Sequence, residues 1–171
     1  QEYLDKYPTG KLKAKIRFYL GESYYAQGDF DKALKNYNNA LENSFNSDIK
    51  DLIYQGLGLT LIEVGKPNQA KTNIDSIRNK QLRLFFQGIY YFKTKDYVQA
   101  LEIFNIFIRE YPKSPSLAQA YLNKADIFYE MGRINDAIYI YKYILENFKK
   151  PVDAYIVNKA HYGLAWCYLK N

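Results

Sequence analysis

The stretch GESYYAQGDFDKAL, residues 21–34, decides the fold of this 171-residue chain. Leu20, Gly21 and Tyr24 share one helical face before its centre. Phe30, Ala33, Leu34, Tyr37, Ala40 and Leu41 share another after it. Between them Gln27, Gly28 and Asp29 supply a turn, because glycine accepts a left-handed C-cap and Asp29 can cap the next helix. The stretch therefore reads as a helical hairpin. Gly21 and Ala33 let its two helices cross closely, and Tyr24 and Tyr37 fill the space beside them.

The pattern repeats. Gly21, Tyr24, Gly28, Phe30, Ala33, Tyr37 and Ala40 recur as Gly88, Tyr91, Lys95, Tyr97, Ala100, Phe104 and Phe107, and again as Ala125, Phe128, Gly132, Ile134, Ala137, Tyr141 and Ile144. A weaker copy, Leu57-Gly58, Leu61, Gly65, Pro67, Ala70, Ile74 and Ile77, exchanges aromatics for aliphatics, and Pro67 suits the first position of a helix. Tyr162-Gly163 and Trp166 open a fifth copy. Self-similarity of this kind specifies stacked supersecondary units.

Key positions are 37 residues apart from Gly21 to Gly58, 37 from Gly88 to Ala125 and 38 from Ala125 to Gly163, but only 30 from Gly58 to Gly88. The missing length, about two helical turns, falls at the end of the second helix and the turn near Asn79. The resulting division is a tail of a preceding unit at 1–8, then units at 14–44, 51–79 (short), 81–113 and 118–150, and a first helix at 156–171. Tyr7-Pro8 precedes Gly21 by the same interval as Tyr111-Pro112 precedes Ala125. The expectation is that both ends cut through a unit of a longer array.

These residues resemble the tetratricopeptide repeat, whose Leu-Gly, Tyr, Gly, aromatic, Ala, aromatic, Ala pattern is matched at Leu20-Gly21, Tyr24, Gly28, Phe30, Ala33, Tyr37 and Ala40. The resemblance implies an all-α, right-handed superhelical solenoid of antiparallel helix pairs that acts as a protein-binding scaffold. The 37-residue spacing and the Tyr-Pro closure resemble bacterial envelope members of this class, the outer-membrane assembly lipoproteins and the periplasmic Tol-Pal partner. A periplasmic or envelope location is the corresponding expectation, with the cytoplasm as the alternative; no signal peptide is visible, which says little about compartment.

Composition narrows the function classes. The chain is 48% hydrophobic, which excludes disorder, and charges interrupt every apolar run, so no integral membrane segment is expected. One cysteine, Cys167, and one histidine, His161, leave a zinc site short of ligands, and no cofactor is expected. His161 has Val157, Asn158, Leu164 and Ala165 as helical neighbours, none able to charge or orient it, and Cys167 reads as a small buried thiol. The chain is read as a non-enzyme.

The net charge of +6 and 19 tyrosines raise nucleic-acid binding. Against it, Lys11, Lys13, Lys15 and Arg17 do not form one face, and motif tyrosines such as Tyr24, Tyr37 and Tyr141 are expected to be buried.

In the repeat family the first helices line a concave groove. Carried onto this sequence, the groove face holds Phe18, Glu22 and Tyr25; Gln55, Leu59 and Ile62; Phe85, Ile89 and Phe92; and Leu122, Asp126 and Tyr129. Spacings of four and three residues make each set one stripe. The surface is apolar and aromatic with a few acids, which suits an amphipathic helix or extended peptide. The alternative is that some of these side chains, Phe85 and Phe92 above all, pack within the array. Phe18 and Glu22, with Leu82, Phe85 and Phe86, stand where chaperone-binding members carry a Lys, Asn and Arg carboxylate clamp, so a carboxylate-terminated chaperone tail is not an expected ligand. The competing function is a structural spacer or self-association module in which open ends of the array stack on one another.

Overall fold

The computed structural model describes residues 12–44, 47–148 and 153–170. The tail expected at 1–8, with Tyr7-Pro8 and Lys11, lies outside them. Every element among the described residues is helical, and the chain divides into two compact units, residues 1–86 and 87–171.

The first unit holds α1 (Lys13–Ala26), α2 (Phe30–Glu42), α3 (Ser47–Glu63), α4 (Pro67–Asp75) and the start of α5 (Lys80–Lys93). Helix α1 packs on α2 and α3 on α4, while α3 also meets both α1 and α2. Tyr37 is the centre of this arrangement. Its fully buried ring fills the space left by two glycines, Gly21 of α1 and Gly56 of α3, where an added Cβ would come within 2.6 Å of the ring. Gly58, two residues on, faces Ile74 of α4 in the same way.

Helix α4 has nine residues where α2, α6 and α8 have 13 or 14. The chain leaving it is clasped by Asp51, a buried acid of α3 whose two oxygens accept the backbone N–H groups of Arg78 (2.8 Å) and Asn79 (2.9 Å). Arg83 donates to the Ile77 carbonyl at 2.6 Å, and Asn79 accepts from the Leu82 N–H. A shortened helix would leave its connection without partners, and these side chains supply them.

The second unit holds the rest of α5 with α6 (Tyr97–Glu110), α7 (Leu117–Glu130), α8 (Ile134–Asn147) and α9 (Ala154–Lys170). Helix α7 packs against α6, α8 and α9, and α8 also packs against α9. Phe104 takes the space beside Gly88, and Tyr141 the space beside Gly163, where a Cβ would approach to 2.4 Å.

Hairpin turns are built alike. Gly28, Gly65 and Gly132 have φ between 72° and 76°, and Lys95 takes the same left-handed geometry at φ 64°. Asp29 and Asp96 cap α2 and α6 by accepting the N–H groups of Lys32 and Gln99. Pro67 begins α4, and Tyr111 closes α6 ahead of Pro112.

One expectation needs correction. Tyr37 and Tyr141 are buried, but Tyr24 is only half-buried, and Tyr19, Tyr139, Tyr155, Tyr162 and Tyr168 are exposed. Tyr24 lies beside a cavity of about 270 Å³ edged by Leu20 and by the polar side chains of Arg17, Lys32, Lys35, Asn36 and Asn39, and the Lys32 ammonium stands 5.4 Å from its ring, so the ring is not sealed from solvent. Burial of the motif tyrosines is therefore a weaker argument against nucleic acid than the pattern suggested.

Candidate functional site

The twelve stripe residues divide by depth. Phe18, Phe85 and Leu122, the first member of three stripes, are buried. Phe18 leans on the Tyr37 ring (centroids 6.0 Å apart), Phe85 meets Phe86 edge-on, and Leu122 belongs to the apolar cluster around Tyr141 and Ile144. These three pack the interior. Tyr25, Gln55, Leu59, Ile62, Ile89, Phe92, Asp126 and Tyr129 are half-buried, and Glu22 is exposed. Seven of these partly open residues gather in two places, one in each unit, while Ile62 and Ile89 line neither.

In the first unit Glu22, Tyr25, Gln55 and Leu59 surround a small recess of about 30 Å³ floored by Tyr37 and Gly56. The Tyr37 hydroxyl donates to Glu22, and burial with this contact pushes the phenol pKa well above its ordinary range. Burial also raises the pKa of Tyr25, with Glu63 and Glu22 adding to the effect.

In the second unit Phe92, Asp126 and Tyr129 line a larger cavity of about 290 Å³, joined by Glu130, Tyr141, Lys159, Tyr162, Gly163 and Trp166. The walls are aromatic, with Tyr162 and Trp166 edge-to-face at 5.9 Å. Asp126 Oδ1 accepts the Tyr141 hydroxyl at 2.6 Å. Burial raises the Asp126 pKa above the usual carboxylate value, opposed by the Tyr141 bond and by Lys159.

The tyrosine–acid pairs follow a rule the sequence contains. Fifteen residues separate Glu22 from Tyr37 and Asp126 from Tyr141. At the same separation the other two units carry Leu59 with Ile74 and Ile89 with Phe104. The acid occurs only where the second-helix side chain has a hydroxyl to donate. Glu22 and Asp126 therefore have a structural partner as well as an open edge. Tyr162 and Trp166 are placed by sequence in the fifth copy but not among the groove residues, because that copy shows only the start of its first helix.

Cys167 is fully buried, and desolvation raises its thiol pKa. His161 is exposed. No cluster of three His, Cys, Asp or Glu among the described residues is placed to hold a metal ion, and no described helix is long and apolar enough to cross a membrane.

Stacked helical hairpins with small residues at each crossing and partly open stripes on the first helices define a helical-repeat scaffold. Two models of the tetratricopeptide repeat match residues 14–46, and residues 84–114 and 119–150, together more than half the chain. The chain belongs to the tetratricopeptide-repeat family, whose members generally act as protein-interaction scaffolds.

Solved structures share the fold. MamA from Desulfovibrio magneticus RS-1 is 19% identical, with 92% of this chain and 85% of that one covered and a TM-score of 0.60. The kinesin light chain TPR-like repeats from Podospora anserina give 11%, 94%, 87% and 0.69, and PilF from Pseudomonas aeruginosa 17%, 91%, 73% and 0.65. Comparison with curated protein sequences gives no match.

Proposed function

We propose that this chain is a scaffold that holds a peptide or amphipathic helix of a protein partner on the open stripe residues, chiefly in the second unit. The observation that carries this reading is the cavity of about 290 Å³ in which Phe92, Asp126 and Tyr129 meet Tyr162 and Trp166. Aromatic side chains with one apolar face and one polar tip are the groups that anchor peptide recognition. In this reading the recess at Glu22, Tyr25, Gln55 and Leu59 is a shallower contact, while Phe18, Phe85 and Leu122 support the surface from beneath. Ile62 in the first unit and Ile89 in the second are further half-buried stripe positions. An envelope location belongs to the same proposal and rests on the 37-residue spacing and Tyr111-Pro112.

Selection from a displayed library of 12-residue peptides tests the reading. Selected peptides are expected to lose at least tenfold in affinity on Phe92→Ala and on Tyr162→Ala, and to keep it on Tyr139→Ala, an exposed position of α8. Peptides indifferent to the first two substitutions overturn it.

A second reading has its own observation. Tyr155, Tyr162, Trp166, Tyr168 and Leu169 of α9 are 45–78% exposed, an apolar surface that suits contact with another copy. Light scattering across a concentration series decides it: a mass fixed at the monomer value excludes self-association.

A further inference from the structure

The cavity of the second unit has a charge pattern unlike a plain apolar anchor pocket. Its rings belong to Phe92, Tyr129, Tyr141, Tyr162 and Trp166. Two carboxylates lie among them, Asp126 and Glu130, against one ammonium, Lys159. The Lys159 charge acts on Asp126, and its Nζ also lies 5.7 Å from the Tyr155 ring, so the lining carries one more carboxylate than ammonium. Tyr141 satisfies Oδ1 of Asp126, and Oδ2 has no hydrogen-bond partner among the described residues. A partly open aromatic cavity with a carboxylate oxygen accessible from it is complementary to a cation, since both ring faces and carboxylate attract positive charge.

The chain supplies a stand-in for such a ligand. The Nζ of Lys170 lies 4.7 Å from the centroid of Tyr129, a wall of the cavity. One face of the Tyr129 ring thus already carries an ammonium group from the protein itself.

We infer that the cavity between α7 and α9 is a subsite for a basic side chain, lysine or arginine, of the bound partner. This deepens the scaffold reading and rests on it for the source of the side chain, although the pocket's preference for a cation can be measured without any partner. Its aliphatic stem would lie along Trp166 and Tyr162 while the charged head approaches Asp126 and Glu130.

Trp166 is the single tryptophan of the chain, so its emission reports this cavity directly. The probes are the N-acetyl methylamides of lysine, arginine, norleucine and glutamine. The lysine and arginine derivatives are expected to change Trp166 emission saturably, and norleucine and glutamine to bind roughly tenfold more weakly. Glu130→Gln is expected to weaken the lysine derivative several-fold.

The inference is overturned if norleucine binds as well as lysine, or if neither cationic derivative gives a saturable response. The library selection separates this failure from that of the scaffold reading. Peptides that depend on Phe92 and Tyr162 but tolerate replacement of every Lys and Arg leave the scaffold standing and remove the basic subsite. A lysine derivative that binds while no peptide does leaves the subsite and removes the scaffold reading.

Discussion

Replacing Tyr141 with Phe removes one oxygen and nothing else, and the structure predicts an unequal result for the same change at Tyr37. The Tyr141 hydroxyl donates at 2.6 Å to Asp126, a carboxylate whose pKa burial already raises. Loss of that donor takes from the half-buried acid its one protein hydrogen bond, at a cost of about 1.5–3 kcal/mol for a bond to a charged group. For a chain of this length that corresponds to a fall in Tm of roughly 4–9 °C. Tyr37 donates to Glu22, which is exposed. Water replaces the lost partner there, so Tyr37→Phe is expected to cost about 1 kcal/mol or less.

The dependence on pH has a definite sign. The folded pKa of Asp126 lies above its ordinary value of 3.8, so folding disfavours the charged form, and Tyr141→Phe raises that pKa further. The variant's deficit is therefore full at neutral pH, where the carboxylate is charged. It shrinks as pH falls through the raised folded pKa, because a protonated Asp126 no longer needs the donor. Urea unfolding followed by Trp166 emission at neutral pH and near pH 4 measures both effects. Equal losses at the two tyrosines, a deficit that does not narrow in acid, or an undiminished deficit in an Asp126→Asn background would refute the reasoning.

Three further predictions follow from local geometry. Lys95 occupies a turn position at φ 64° that glycine fills elsewhere, so Lys95→Gly should stabilise the fold by about 0.5–1 kcal/mol, read as a higher urea midpoint. Asp51→Ala removes both acceptors that hold the chain after α4; a loss of about 1–3 kcal/mol is expected, with faster amide exchange at Arg78 and Asn79. The Cys167 thiol should resist a thiol-specific reagent in the native state and react promptly in urea, since burial both shields it and raises its pKa. Prompt labelling without denaturant would contradict its placement.

The hairpins were legible because their signals are local. Gly28, Gly65 and Gly132 mark left-handed turns, Asp29 and Asp96 mark helix starts, and the interval of 30 residues from Gly58 to Gly88 marks the short helix α4. The candidate site was legible only in part. Helical spacing places Phe18, Glu22 and Tyr25 on one stripe, yet it cannot show that Phe18 sinks against Tyr37 while Glu22 remains open, because depth depends on what packs over the stripe. Gly56 was missed for the same reason: its importance lies in the ring of Tyr37, on another helix. The tyrosine–acid pairs had a sequence signal, the fixed separation of fifteen residues, which gains meaning once the hydroxyl and the carboxylate are seen to meet.

By itself the sequence determined the all-helical hairpin repeat, because small residues, turn glycines and capping acids act on the few residues around them. Tertiary structure alone decided which stripe residues reach a cavity and which acids are already satisfied. It also brought Tyr162 and Trp166 to the wall that Phe92 and Tyr129 begin. Those outcomes depend on side chains that are distant in sequence and become neighbours only when the helices stack, and local pattern carries no measure of that distance.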